Sequence, residues 1–192
     1  MLIELALAAP LLIGLVLGVL EFGMAFREDN NEGAAIRSAN RVAASLGDSR
    51  SADYYAAQAF RSVMNRGTAV TINRLVIYKA TGADGSPSNA NCLTNAASAT
   101  GTGITGACNI YSSTQLNSLG ANYLTNFGAS DASCSTTAWD RWWCPVDRND
   151  AQGDPPDYIG VYAVVTYKSY TRMLPTTVTL TDRSVMRIEP EG

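Results

Sequence analysis

Histidine is absent from this chain, which removes the commonest proton shuttle near neutral pH and the commonest metal ligand. A Ser-His-Asp triad and a histidine-ligated zinc centre are therefore excluded. Charge is scarce too: charged residues make up 16% of the 192 positions, well below the usual quarter. Lys and Arg number 14 against 17 Asp and Glu, a formal net charge of −3. Without a concentrated basic face to release phosphate counterions, no nucleic-acid partner is expected. The sequence also lacks a nucleophile elbow, a phosphate-cradling glycine loop and a C-x-x-C pair. No enzymatic activity and no cofactor are expected from it.

What the chain does have is one long apolar run. From Leu5 to Leu20 it reads LALAAPLLIGLVLGVL, and Met1 to Leu20 is interrupted only by Glu4. At a helical rise of ~1.5 Å per residue this approaches the ~30 Å hydrocarbon thickness of a bilayer. A cleaved secretory signal would show a basic segment before the core and a small-residue site after it. Here no Lys or Arg precedes the core and Glu21-Phe22-Gly23 ends it. A core helix of a soluble protein would be apolar on one face, not on all sides. The run therefore reads as a membrane or bundle-core helix. Gly14 and Gly18 stand in G-x-x-x-G spacing, which permits close helix approach, and Pro10 removes one helical hydrogen bond. Glu4 is the costly residue, because a carboxylate inside an apolar helix needs water or a cation. It either reaches the interface near the helix start or pairs with a cation, such as an N-terminal amine, from another subunit.

The helix continues beyond Phe22–Phe26 into water, and Ile36, Ala39, Ala43 and Leu46 recur at three- and four-residue steps. Gly47-Asp48 closes it. A second helix is predicted from Ser51, with Asp53 in its first turn, to Arg66, stopped by Gly67. β-Branched and aromatic residues then predict strands at Val70–Tyr78, Tyr158–Tyr170 and Thr176–Ile188, the last two an antiparallel hairpin. The expected architecture is α+β. Residues 1–47 form a transmembrane or filament-core helix with an amphipathic continuation, and residues 48–192 form an extracytoplasmic head with a loop-rich insertion at 82–155.

That insertion is poor in apolar residues, so it needs other ties to be ordered. Cys92, Cys108, Cys134 and Cys144 all fall in it. Of three pairings, Cys92–Cys108 and Cys134–Cys144 close the shortest loops and are favoured. A zinc site is the rival reading, without suitable spacing. Disulfides imply an oxidising space. Trp139, Trp142 and Trp143 cluster beside Cys144 and read as a small core around a disulfide, with a surface recognition platform as the alternative. Asp147, Asp150, Asp154 and Asp157 lack the spacing and terminal Glu of a calcium loop and read as solvated turns.

The run Ile3-Glu4-Leu5-Ala6-Leu7-Ala8-Ala9-Pro10-Leu11-Leu12, with Leu20-Glu21-Phe22-Gly23 behind it, resembles the N-terminal segment of TadE-like pilins of tight-adherence (type IVc) systems. Asp157–Val161 and Leu180–Pro190 resemble that family's last hairpin, while Gly82–Asp154 has no counterpart there. The resemblance implies a precursor leader removed by a prepilin peptidase, insertion in the bacterial inner membrane, and extraction by an ATPase-driven assembly platform. An extracellular pilus of identical subunits or of several pilins would result, serving adhesion. It also implies an early Glu, fifth in the mature chain of type IV pilins, meeting a neighbour's N-terminal amine. Here that Glu is the fourth residue. Either one residue precedes Met1, or Met1 is the processed end, or the register differs. The reading from another class is a single-span, membrane-anchored binding module that does not polymerise.

Overall fold

The computed structural model describes residues 2–64, 69–120, 126–127, 129–130, 133–150, 155–171 and 176–189, with residues 2–7, 129, 130 and 133 through their backbone alone. One unbroken helix, α1 (Leu2–Leu46), opens the chain. A second helix, α2 (Ala52–Met64), follows after a turn in which Gly47 takes a φ of +48°, a conformation suited to glycine at a helix end. The expected stop at Gly67 lies outside the described residues.

The sheet is α+β in its setting but larger than the sequence predicts. It has five antiparallel strands rather than three, in the order β2-β3-β1-β6-β7. These are β1 (Val70–Ala80), β2 (Thr102–Ile104), β3 (Cys108–Ser112), β6 (Tyr158–Lys168) and β7 (Thr177–Arg187). The short helices α3 (Asn91–Thr94) and α4 (Ser113–Asn117), and a small ladder of β4 (Ala129–Ser130) with β5 (Ser133–Cys134), fill the connection. The two extra strands come from the polar insertion. Each is short and lacks a strong β-former pattern, and each is ordered by a neighbour already in place. Arg74 to Tyr78 of β1 pair with Ser112 to Cys108 of β3, which in turn pairs with β2.

One sheet face carries the main core. Ala35, Ile36, Ala39 and Ala43 of α1, with Ala56, Ala57 and Phe60 of α2, pack on Leu75, Ile77, Tyr111, Ile159, Val161, Ala163 and Val165. The alanine stripe on α1 explains how two helices fit closely on one sheet, since short side chains permit close backbone approach. The opposite face, at β1 and β3, is not left to water. Val76, Tyr78, Cys108 and Ile110 pack there with Cys92 and Ala107 from the insertion. This second layer explains why Leu75-Val76-Ile77-Tyr78 is apolar without alternation: both of its faces are buried.

Helix α1 lies along the β6–β7 hairpin. Glu21 meets Tyr167, Tyr170 and Thr171 at the hairpin tip, Asn40 Nδ2 donates to Ser184 Oγ at 3.1 Å, and the Glu189 amide donates to the Ala44 carbonyl at 3.1 Å. The helix thus runs from the hairpin's tip to its open end. The lengths match: Glu21 to Leu46 covers about 38 Å of helix, and each strand of 11 residues covers about 36 Å.

Tyr78 and Gly160 are direct cross-strand partners. The Tyr78 hydroxyl donates to the Gly85 carbonyl at 2.9 Å, which fixes the ring over Gly160. A Cβ on Gly160 would lie 2.2 Å from Tyr78 Cζ. Gly160→Ala is therefore expected to lower stability by about 1–3 kcal/mol through forced repacking. Gly18→Ala, where nothing lies within 4 Å, should leave head stability unchanged. Denaturant unfolding of the full chain in detergent micelles, followed by tryptophan fluorescence, measures both.

Candidate functional site: the apolar helix and its junction with the head

From Leu11 to Leu20 the apolar half of α1 stands clear of the other described residues. Leu11, Leu12, Ile13, Leu15, Val16, Val19 and Leu20 are all exposed, Leu11 to 71%. The helix is long and apolar enough to cross a membrane, and its most apolar window is 6% buried. A cylinder of this kind exposes far more contiguous apolar surface than a folded domain leaves in water. Lipid or other helices must cover it.

The sequence-predicted helix residues distribute along this cylinder. Glu4 stands in the first turns of α1, and its side-chain surroundings lie outside the described residues. Pro10 is inside the helix and exposed; its missing N–H removes the bond that the Ala6 carbonyl would otherwise accept. Gly14 and Gly18 are half-buried by their own helix, and a Cβ at Gly18 would meet open space.

Glu21 is different in kind. It follows the apolar run directly yet is fully buried. Its Oε1 accepts from the Tyr167 hydroxyl at 2.8 Å and from the Tyr170 amide at 3.0 Å. Its Oε2 accepts from the Thr171 amide and hydroxyl, both at 2.8 Å. Four donors from one hairpin tip satisfy the carboxylate where the helix leaves its apolar segment. Sequence reasoning identifies Glu21 as an exit residue but not its donors, which lie about 150 positions away.

A second acid on α1 is less well provided for. Glu32 sits about 18 Å beyond Leu20, inside the contact with the head, fully buried and with neither carboxylate oxygen hydrogen-bonded. Burial first, then the nearby Asp182 and Asp29 carboxylates, pushes its pKa up to about 8. Nothing in the sequence distinguishes it from the half-buried Glu28 and the exposed Asp29 around it.

The cysteines pair as Cys92–Cys108 and Cys134–Cys144. The first joins α3 to β3 within the insertion; the second closes the turn that holds the tryptophans. Trp143 is buried in the main core, and Trp139 packs edge-on to Phe127 with ring centres 5.5 Å apart. Trp142 is half-buried with its ring stacked on the Arg141 guanidinium at 3.5 Å, and a Cβ at Gly103 would lie 2.7 Å from it. Trp143 is thus a core ring, while Trp139 and Trp142 keep part of their surface exposed. Behind them lies a network that the sequence did not reveal. Arg148 pairs with Asp53 at 2.6 Å, both fully buried. Asp53 also accepts from Asn109 Nδ2 at 2.9 Å and the Tyr111 hydroxyl at 2.6 Å. Burial and the Asp53 charge push the Tyr111 hydroxyl pKa upward. Of the four spaced aspartates, Asp157 is taken by Lys79 at 2.8 Å, and Asp154 lies outside the described residues. Among the described residues no group of three or more potential metal-binding Cys, Asp or Glu side chains comes together.

With that geometry in hand, comparison with protein families gives one finding: the family described as TadE-like protein matches residues 1–39. The match spans the apolar run, Glu21 and Glu32, and ends inside the amphipathic half of α1. The likeness of the C-terminal hairpin lies outside it. No curated protein matches the chain, and no solved structure matches it. A TadE-like N-terminus on a bare apolar helix fits a pilus-associated, membrane-anchored surface protein.

Glu32 makes a prediction about pH. Its folded pKa of about 8 lies above its ordinary value of 4.5, so between those values the folded chain holds a proton that the unfolded chain has released. Stability should therefore fall as pH rises through that window, with the contribution lost above about 8. Glu32→Gln should flatten this slope and stabilise the chain most at the alkaline end. Urea unfolding of the full chain in micelles, repeated across the window, reads the slope directly.

Proposed function

We propose, on the premise of a TadE-like N-terminal segment carried by a disulfide-tied α+β head, that the chain is a structural pilin-like subunit. The carrying observation is the apolar half of α1, exposed from Leu11 to Leu20 on a helix that continues unbroken into the head. Such a helix needs an apolar surrounding, and two are available to it in turn. Before assembly that surrounding is the bacterial inner membrane. After assembly it is a bundle of the same helices from neighbouring subunits, with the heads outward in a tight-adherence pilus that serves surface attachment.

In this reading each feature of the helix has a task. Gly14 and Gly18 let neighbouring helices approach. Pro10 frees one backbone carbonyl and permits a local bend as subunits pack. Glu4 is neutralised by the N-terminal amine of an adjacent subunit. A prepilin peptidase and an inner-membrane assembly platform are the required partners. The head carries no proposed reaction; its work is to fold once, in an oxidising space, and remain outside.

Electron microscopy of sheared cell-surface material, with mass spectrometry of the chain's N-terminus, tests the proposal. The expected result is filaments that contain this chain with a processed amino end. Its absence from every filament, together with retention in the membrane, would replace the pilin with a monomeric anchored module. Glu4→Ala should abolish or strongly reduce filament yield while the chain still fractionates with membranes; normal filaments from this variant would remove the amine pairing.

A further inference from the structure

The geometry points to a second membrane contact: the tip of the β6–β7 hairpin sits in the lipid headgroup layer, forming with the helix exit an aromatic and cationic collar. This inference rests only on the membrane-anchored part of the function proposed above, not on filament formation.

Depth comes first. The apolar run ends at Leu20, so the hydrocarbon boundary falls at that level. Glu21 is the next residue, and a carboxylate does not lie deeper than that boundary without cost. Its four donors come from Tyr167, Tyr170 and Thr171. The tip is therefore held within hydrogen-bond reach of the very residue that marks the boundary. A head attached only through the far end of the helix could stand clear of the bilayer; one bonded to Glu21 cannot.

Surface chemistry agrees. Beyond Leu20, the exposed large apolar side chains among the described residues are Phe22, Phe26, Tyr55 and Tyr170. Three of these four belong to the junction, with Tyr170 at 60%, Phe22 at 64% and Phe26 at 70% exposure. Phe22 and Phe26, four positions apart, share one side of the helix about one turn above the run. Tyr170, a ring with one apolar and one wet end, is the kind of side chain that settles at the bilayer interface, and the exposed phenyl rings of Phe22 and Phe26 carry apolar surface up to it. Lys168 at the end of β6 and Arg27 on α1 are both exposed, at the height where phosphates would meet them. The acids Glu28 and Asp29 are the next two residues after Arg27, about 1.5–3 Å farther out along the helix. The occupant that fits an exposed apolar rod bordered by exposed aromatic rings and by Lys168 and Arg27 is a phospholipid bilayer.

The test uses the full chain in vesicles of phosphatidylethanolamine and phosphatidylglycerol. All four native cysteines are in disulfides, so an added one accepts a nitroxide label alone. Labels at Tyr170→Cys, Phe22→Cys and, as a control on an exposed distant turn, Thr137→Cys are compared by power-saturation spectroscopy with oxygen and a water-soluble nickel chelate. The oxygen-to-nickel accessibility ratio should be several-fold higher at 170 and 22 than at 137. Adding Glu21→Ala should return the 170 label to the ratio of 137 and leave the 22 label where it was. A 170 label as nickel-accessible as 137, with the 22 label at the interface, overturns the inference and leaves the filament reading standing. A 170 label shielded from both reagents would also overturn it, assigning the tip to contact with a second copy. Wild-type filament yield scored in parallel keeps the two questions separate.

Discussion

The hydrogen bonds of Glu21 join two parts of the molecule that require different solvents. On one side of that residue α1 is an apolar rod exposed among the described residues; on the other it is the spine on which the head is built. Because the helix is unbroken across the junction, the position of either half fixes the other. The remaining architecture follows from this. The β6–β7 hairpin lies along the second half of the helix, α2 packs beside it, and the rest of the sheet extends outward from β6. The insertion then covers the far face, drawn down by Cys92–Cys108.

The head handles its buried charge in two ways. Asp53 and Arg148 are both removed from water, which is expensive, but the cost is offset by their short mutual contact and by donors from Asn109 and Tyr111. Asn109 reaches further, exchanging bonds with the backbone of Trp143 in both directions. One network thereby registers α2, β3 and the tryptophan turn against each other within the core that they share. Glu32 has no such partners and faces Asp182 across the helix–strand contact. A buried carboxylate bonded on both oxygens, as Asp53 is, holds its partners in register, whereas an unsatisfied acid makes its contact depend on protonation.

Local rules made much of this legible. The apolar run, the alanine stripe ending at Gly47 and the β-branched and aromatic composition of the three long strands are local signals, and each element stands within a few residues of where they put it. The short-loop disulfides follow from closure entropy and occur as such. What the sequence concealed was ordered by partners instead. β2 and β3 have no strong strand signal because β1 and a disulfide hold them. Asp53 looked like a first-turn helical acid, Glu21 like a residue leaving an apolar segment, and Glu32 like one of a run of solvated charges. Their roles are set by residues up to about 150 positions distant, and no window of sequence contains both halves of such a pair.

The alignment of α1 with the hairpin has a mechanical consequence. A pull applied to the membrane-side end of the helix acts parallel to β6 and β7, whose eleven-residue register lies across the direction of force. Antiparallel ladder bonds run perpendicular to their strands, so the load is shared among them in shear rather than opening them one after another from an end. The buried carboxylate at the tip takes up tension where the helix first meets the sheet, and the alanine stripe passes the rest along the whole interface. A head assembled in this orientation resists being peeled from its own stalk.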